Sequence, residues 1–75
     1  MSKLKKISGK ECIKALSKMG FQIIRQKGSH VILAKETPEG RVGTVVPLHK
    51  ELKIGTLKGI LRLAGFSTEQ FFEVI

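Results

Sequence analysis

The stretch that decides the fold is Phe21-Gln22-Ile23-Ile24-Arg25-Gln26-Lys27-Gly28-Ser29-His30-Val31-Ile32-Leu33-Ala34-Lys35. Two runs rich in β-branched residues flank a short segment that holds the only glycine. That pattern reads as a hairpin: a strand over Phe21 to Gln26, a turn at Lys27-Gly28, and a second strand over His30 to Lys35. The turn also places a histidine at the mouth of a strand, beside two cations. Histidine alone among side chains has an unperturbed pKa near neutrality, so it gives or takes a proton there.

Upstream, Ser8 reads as a helix N-cap, with Glu11 three residues later completing a capping box and Ile7 and Cys12 placed as a hydrophobic staple. The helix runs to about Met19, and Gly20 supplies the left-handed residue that ends it. Cys12, Ile13, Ala15, Leu16 and Met19 form its apolar face, while Lys10, Lys14 and Lys18 form a stripe on the other. Downstream, Glu36-Thr37-Pro38-Glu39-Gly40 reads as a longer loop. Arg41 to Val46 is a third strand, closed by Pro47, and Leu48 to Lys53 is irregular. A second helix spans about Ile54 to Leu63, with Leu57, Ile60, Leu61 and Ala64 on one side and Gly65 at its end. Ser67 and Gln70 form another capping box, with Phe66 and Phe71 as staple, and open a short helix from Thr68 to about Val74.

The order is helix, three antiparallel strands, helix, short helix. Both longer helices can cover one sheet face, which gives a two-layer α+β sandwich. Val31 and Leu33 take one parity of their strand and His30, Ile32 and Ala34 the other. If the first pair faces the helices, His30 lies on an open, partly apolar face, a surface type that often marks an interface.

Composition narrows the function. The chain has 75 residues, one small domain over 1–75 with little room for a deep enclosed pocket. Its formal net charge is +8. Residues 1–35 hold nine basic and one acidic side chain, and residues 36–75 hold five of each. Such asymmetry favours a polyanionic or acidic partner. Cys12 is the sole cysteine, so no intrachain disulfide forms, and its helical position reads as a reduced core thiol. No secretory or bilayer-crossing run is visible, so the expected location is cytoplasmic and no membrane partner is expected. With no Tyr or Trp, the sheet lacks the rings on which RRM-type domains stack bases.

His30 has two readings: an ordinary strand histidine, or a general base or acid for RNA cleavage that takes the proton from a ribose 2′-hydroxyl as it attacks the adjacent phosphate. Lys27 and the backbone N–H groups of Gly28 and Ser29 are candidates to hold the phosphoryl oxygens. His49, in Pro47-Leu48-His49, has two readings: a residue that braces the loop before the second helix, which the spacing favours slightly, or the acid that pairs with His30. Lys10 and Lys14 of the first helix, with Lys50, Lys53, Lys58 and Arg62 around the start of the second, are candidate phosphate contacts. Zinc-site spacing and a Gly-rich nucleotide loop are absent. So is an evident carboxylate pair for magnesium, though Glu36, Glu39 and Glu51 are the acids a metal-dependent alternative would use. No metal and no small-molecule cofactor is expected.

An ordered set of motifs runs nearly the whole chain: Ser8-Gly9-Lys10-Glu11, Gly20-Phe21, Lys27-Gly28-Ser29-His30, Val46-Pro47-Leu48-His49, Gly55-Thr56-Leu57, Ile60-Leu61-Arg62 and Ala64-Gly65-Phe66-Ser67. With these the chain resembles the HicA-type (YcfA-like) mRNA interferase toxins. The resemblance implies a double-stranded-RNA-binding-domain-like fold, α-β-β-β-α. It implies the toxin of a type II toxin–antitoxin system, a metal-independent endoribonuclease acting on mRNA, with the histidine of the Gly-Ser-His motif, here His30, as catalytic residue. It also implies a HicB-type antitoxin that covers the active surface. Two positions depart from the family pattern: Ile54, where Pro is common, and Leu63, where a polar residue is frequent. The alternative reading is a non-catalytic RNA-binding module of the same fold, which would hold A-form RNA by shape and phosphate contacts.

Overall fold

The structure, a computed structural model, describes residues 6–75. Lys3 and Lys5, counted above in the basic half, lie outside the described residues. The elements run α1 (Gly9–Lys18), β1 (Gln22–Lys27), β2 (His30–Thr37), β3 (Gly40–Pro47), α2 (Ile54–Ala64) and α3 (Thr68–Val74). The three strands form one antiparallel sheet in the order β1-β2-β3. This is the α+β arrangement expected, α-β-β-β-α with a short C-terminal helix.

Local chemistry explains where the helices start. The Glu11 N–H donates to Ser8 Oγ at 3.1 Å, and the Ser8 N–H donates to the Glu11 carboxylate at 2.8 Å. Those two bonds satisfy donors that a helix start otherwise leaves orphaned. Ser67 and Gln70 repeat the arrangement for α3 at 3.1 and 2.9 Å. α1 stops one residue before the expected Met19, which serves as the cap. Gly20 then turns the chain with φ +103°, and the Phe21 N–H returns to the Leu16 carbonyl at 3.0 Å. Lys35 finishes this end. Its Nζ donates to the Met19 carbonyl at 2.9 Å and lies 5.6 Å from the centre of the Phe66 ring, a cation–π distance.

Two turns differ from the sequence reading, one in position and one in length. The hairpin turn is Gly28-Ser29 rather than Lys27-Gly28, because Lys27 pairs with His30 as the last residue of β1. Gly28 has φ +60° and Ser29 does not have positive φ, the arrangement of a type II′ turn that suits the twist of a hairpin. The expected loop over 36–40 contracts to Pro38-Glu39, since Thr37 pairs with Gly40. Thr37 Oγ1 donates to the Gly40 carbonyl at 2.7 Å and closes that turn.

One face of the sheet builds the core. Val31, Leu33 and Val46 are buried with Cys12, Leu16, Leu57, Leu61 and Phe71. Thr44 is the buried polar side chain of this layer, and its hydroxyl donates to the Ile60 carbonyl at 2.9 Å, tying β3 to α2. Helical cover reaches β3 and the core side of β2. All six residues of β1 stay exposed. A bulge between Ile23 and Arg25 lets Ile23 oppose Leu33 and Arg25 oppose Ile32.

Cys12 is fully buried, and desolvation pushes its thiol up from the ordinary 9.0 to about 12. The folded state therefore keeps the proton while the unfolded chain loses it above the ordinary value. Its contribution to stability is complete below about pH 9 and is lost as pH rises toward 12. Near neutrality the buried thiol therefore stays protonated and unreactive. Iodoacetamide labelling followed by mass spectrometry should leave Cys12 unmodified in the native protein and modify it in urea.

Candidate functional site

Three chain segments meet where β2 begins. The first is the turn Gly28-Ser29 with His30, the second Pro47-Leu48-His49, and the third the start of α1. His30 pairs with Pro47 across the sheet. One step further, the Leu48 N–H donates to the Ser29 carbonyl at 2.7 Å, which carries the β2–β3 ladder past the end of β3. The Gly9 N–H donates to the His49 carbonyl at 2.8 Å, and the Leu52 N–H donates to the Ile7 carbonyl at 2.7 Å. Backbone bonds thus hold the hairpin turn, the segment after β3 and the start of α1 as one unit. Gln26 Nε2 adds a brace from β1, donating to the Gly28 carbonyl at 3.1 Å.

On this unit Pro47, Ile7 and Leu52 are buried and Leu48 is half-buried, while the polar and charged side chains face water. Lys27, Gly28, Ser29, His30, His49, Lys50 and Lys10 are all exposed. Partners across an antiparallel ladder share a face. Lys27 opposite His30, and Arg25 opposite Ile32, therefore put two cations on the same open face as the imidazole. The sequence reading did not single out Arg25 for the site. The signal was available: a two-residue turn at Gly28-Ser29 forces the pairs 27/30, 26/31 and 25/32, and the register shifts only beyond Arg25.

The remaining candidates divide into two groups. Lys53 is the N-cap of α2, makes no side-chain capping bond, and precedes a first turn without an acidic residue. Gly55 in that turn has nothing near the position of a Cβ, so the helix start is open, with Lys50 and Lys58 exposed nearby in sequence. Lys14 stands elsewhere. It lines a groove with Lys18, Val74 and Ile75, between α1 and the end of α3. Among the described residues, no three His, Cys, Asp or Glu side chains are close enough to hold a metal ion. Also among them, no helix is long and apolar enough to cross a membrane.

With this geometry in view, the chain matches the family model described as the HicA toxin of bacterial toxin–antitoxin systems, over residues 9–66. It belongs to that family, and a toxin of this kind implies an antitoxin partner. Comparison with curated proteins found no match.

Two glycines test the unit. A Cβ on Gly9 would overlap the Pro47 carbonyl oxygen, a backbone atom that cannot swing aside. Gly9→Ala should lower stability by about 1–3 kcal/mol through overpacking, read as a lower urea midpoint. Gly28 has open space around it, so Gly28→Val meets only the strain of φ +60°. That substitution should cost about 1–2 kcal/mol, and Gly28→Asn distinctly less.

Proposed function

We propose that this chain is the toxin of a type II toxin–antitoxin pair, an endoribonuclease that cleaves mRNA with His30 as general base. The observation that carries the reading is the exposed imidazole of His30, at a rigid turn and on the same sheet face as Lys27 and Arg25. Neutral His30 takes the proton from a ribose 2′-hydroxyl. The 2′-oxygen bonds to the adjacent phosphorus as the bond to the 5′-oxygen breaks. The products are a 2′,3′-cyclic phosphate and a 5′-hydroxyl end. Lys27, Arg25 and the N–H groups of the turn lie where charge gathers on the phosphoryl oxygens, and such preorganised donors lower the barrier. Lys10, Lys50, Lys53 and Lys58 hold neighbouring phosphates and set the register of the strand. Lys14 adds charge along α1 at greater distance. The reaction needs no metal and no small-molecule cofactor.

The same reading assigns a HicB-type antitoxin to the open sheet face. Ile24 and Val45 are 49% and 39% exposed there, beside the cations, which suits a partner that is apolar at its centre and acidic at its rim. An mRNA substrate places the work in the cytoplasm, and residues 1–75 act as a single domain.

The decisive experiment incubates a defined RNA with wild type and His30→Ala, each with and without EDTA, and analyses the new ends. Wild type should cut in EDTA and leave 2′,3′-cyclic phosphates. His30→Ala should lose about 10²–10⁴-fold in rate, with an unchanged circular dichroism spectrum and retained, salt-sensitive RNA binding. Undiminished cleavage by the variant would remove His30 from the chemistry. Binding without cleavage by wild type would make the chain an RNA-binding module instead.

A further inference from the structure

The reaction above leaves one proton unassigned. When the 5′-oxygen departs from phosphorus it must gain a proton, and His30 cannot supply it while taking one from the 2′-hydroxyl. The two oxygens lie on opposite sides of the phosphorus, so the acid must stand apart from the base, across one phosphate.

His49 occupies such a position. His30 and Pro47 are ladder partners and share a face. The bond from Leu48 N–H to the Ser29 carbonyl, 2.7 Å, continues the ladder by one rung. Pro47 is buried, Leu48 half-buried and His49 exposed, so this is the segment's first side chain past β3 to reach water. His49 therefore stands exposed, two residues beyond the partner of His30. Diagonal neighbours of that kind lie roughly 7–8 Å apart. Its backbone is also fixed from the far side, since its carbonyl accepts the Gly9 N–H at 2.8 Å. That bond uses only main-chain atoms, so the imidazole itself is not needed to brace the loop.

We infer that His49 is the general acid of the reaction: its imidazolium gives a proton to the departing 5′-oxygen while His30 receives one from the 2′-hydroxyl. The enzyme ends the step with the two protonation states exchanged, and no co-reactant is consumed. This rests on the nuclease reading of His30. The titratable and charged groups around His49 are Lys27 and His30 of the hairpin, Lys10 and Glu11 at the start of α1, and Lys50 and Glu51 of its own loop.

The test compares an RNA dinucleotide carrying the natural 5′-oxygen with one carrying a bridging 5′-sulfur, which leaves as a thiolate without being protonated. His49→Asn should slow the oxygen substrate by about 10²–10⁴-fold and the sulfur substrate only a few-fold. His30→Asn should slow both. Wild type on the oxygen substrate should give a bell-shaped pH profile, and His49→Asn should lose its alkaline limb. A His49→Asn variant that slows both substrates equally, or neither, overturns the assignment while leaving His30 in place. If wild type cleaves neither substrate, the nuclease reading falls and this inference with it. Thermal melting of both variants confirms that the fold is intact.

Discussion

The junction of Ser29, Leu48 and Gly9 is the constraint on which the arrangement depends. A carbonyl at the hairpin turn accepts from the segment after β3, and a carbonyl in that segment accepts from the first residue of α1. The contact is close enough that α1 begins with glycine, because any Cβ would overlap the Pro47 carbonyl. Main-chain bonds of this sort do not depend on side-chain identity. They leave the side chains of His30, His49 and Lys27 free to face water while their backbones stay in place. A small domain cannot hide a site in a deep cavity, and here it substitutes a rigid surface for one.

The sheet separates two tasks by parity. Val31, Leu33, Thr44 and Val46 face the helices and are buried, whereas His30, Ile32 and Val45 face outward. Stability comes mainly from the first set, with α2 secured to β3 by the Thr44 hydroxyl on the Ile60 carbonyl. The second set is free to carry chemistry and binding, because changing it opens no cavity. β1 belongs almost wholly to the second task. It is exposed along its length, and its regular pairing from the turn puts Arg25 on the face of His30, the bulge shifting the register only beyond Arg25. Such a bulge blunts an edge strand against unwanted pairing.

Much of this was legible in residue order. The two capping boxes were visible as Ser-x-x-Glu and Ser-x-x-Gln, because the motif is local and its hydrogen bonds span three residues. The hairpin was visible from its glycine and its alternation. Boundaries within turns were less so. The contraction of the 36–40 loop depends on Thr37 pairing with Gly40, a cross-strand relation with no marker inside either residue. In the sequence Lys35 is only the last residue of the expected second strand. Its bond to the Met19 carbonyl requires α1 and β2 to be brought together first.

By itself, the sequence determined the number and type of elements, the ends of the helices and the nature of the apolar faces, since all of these follow from interactions between residues a few positions apart. The tertiary structure alone decided the bulge that shifts the register of β1, the meeting of the Gly28-Ser29 turn with Leu48 and Gly9, and the place of His49 two residues past the partner of His30. Those depend on contacts between segments far apart in the chain, where one residue of slip would reverse every side chain in a strand.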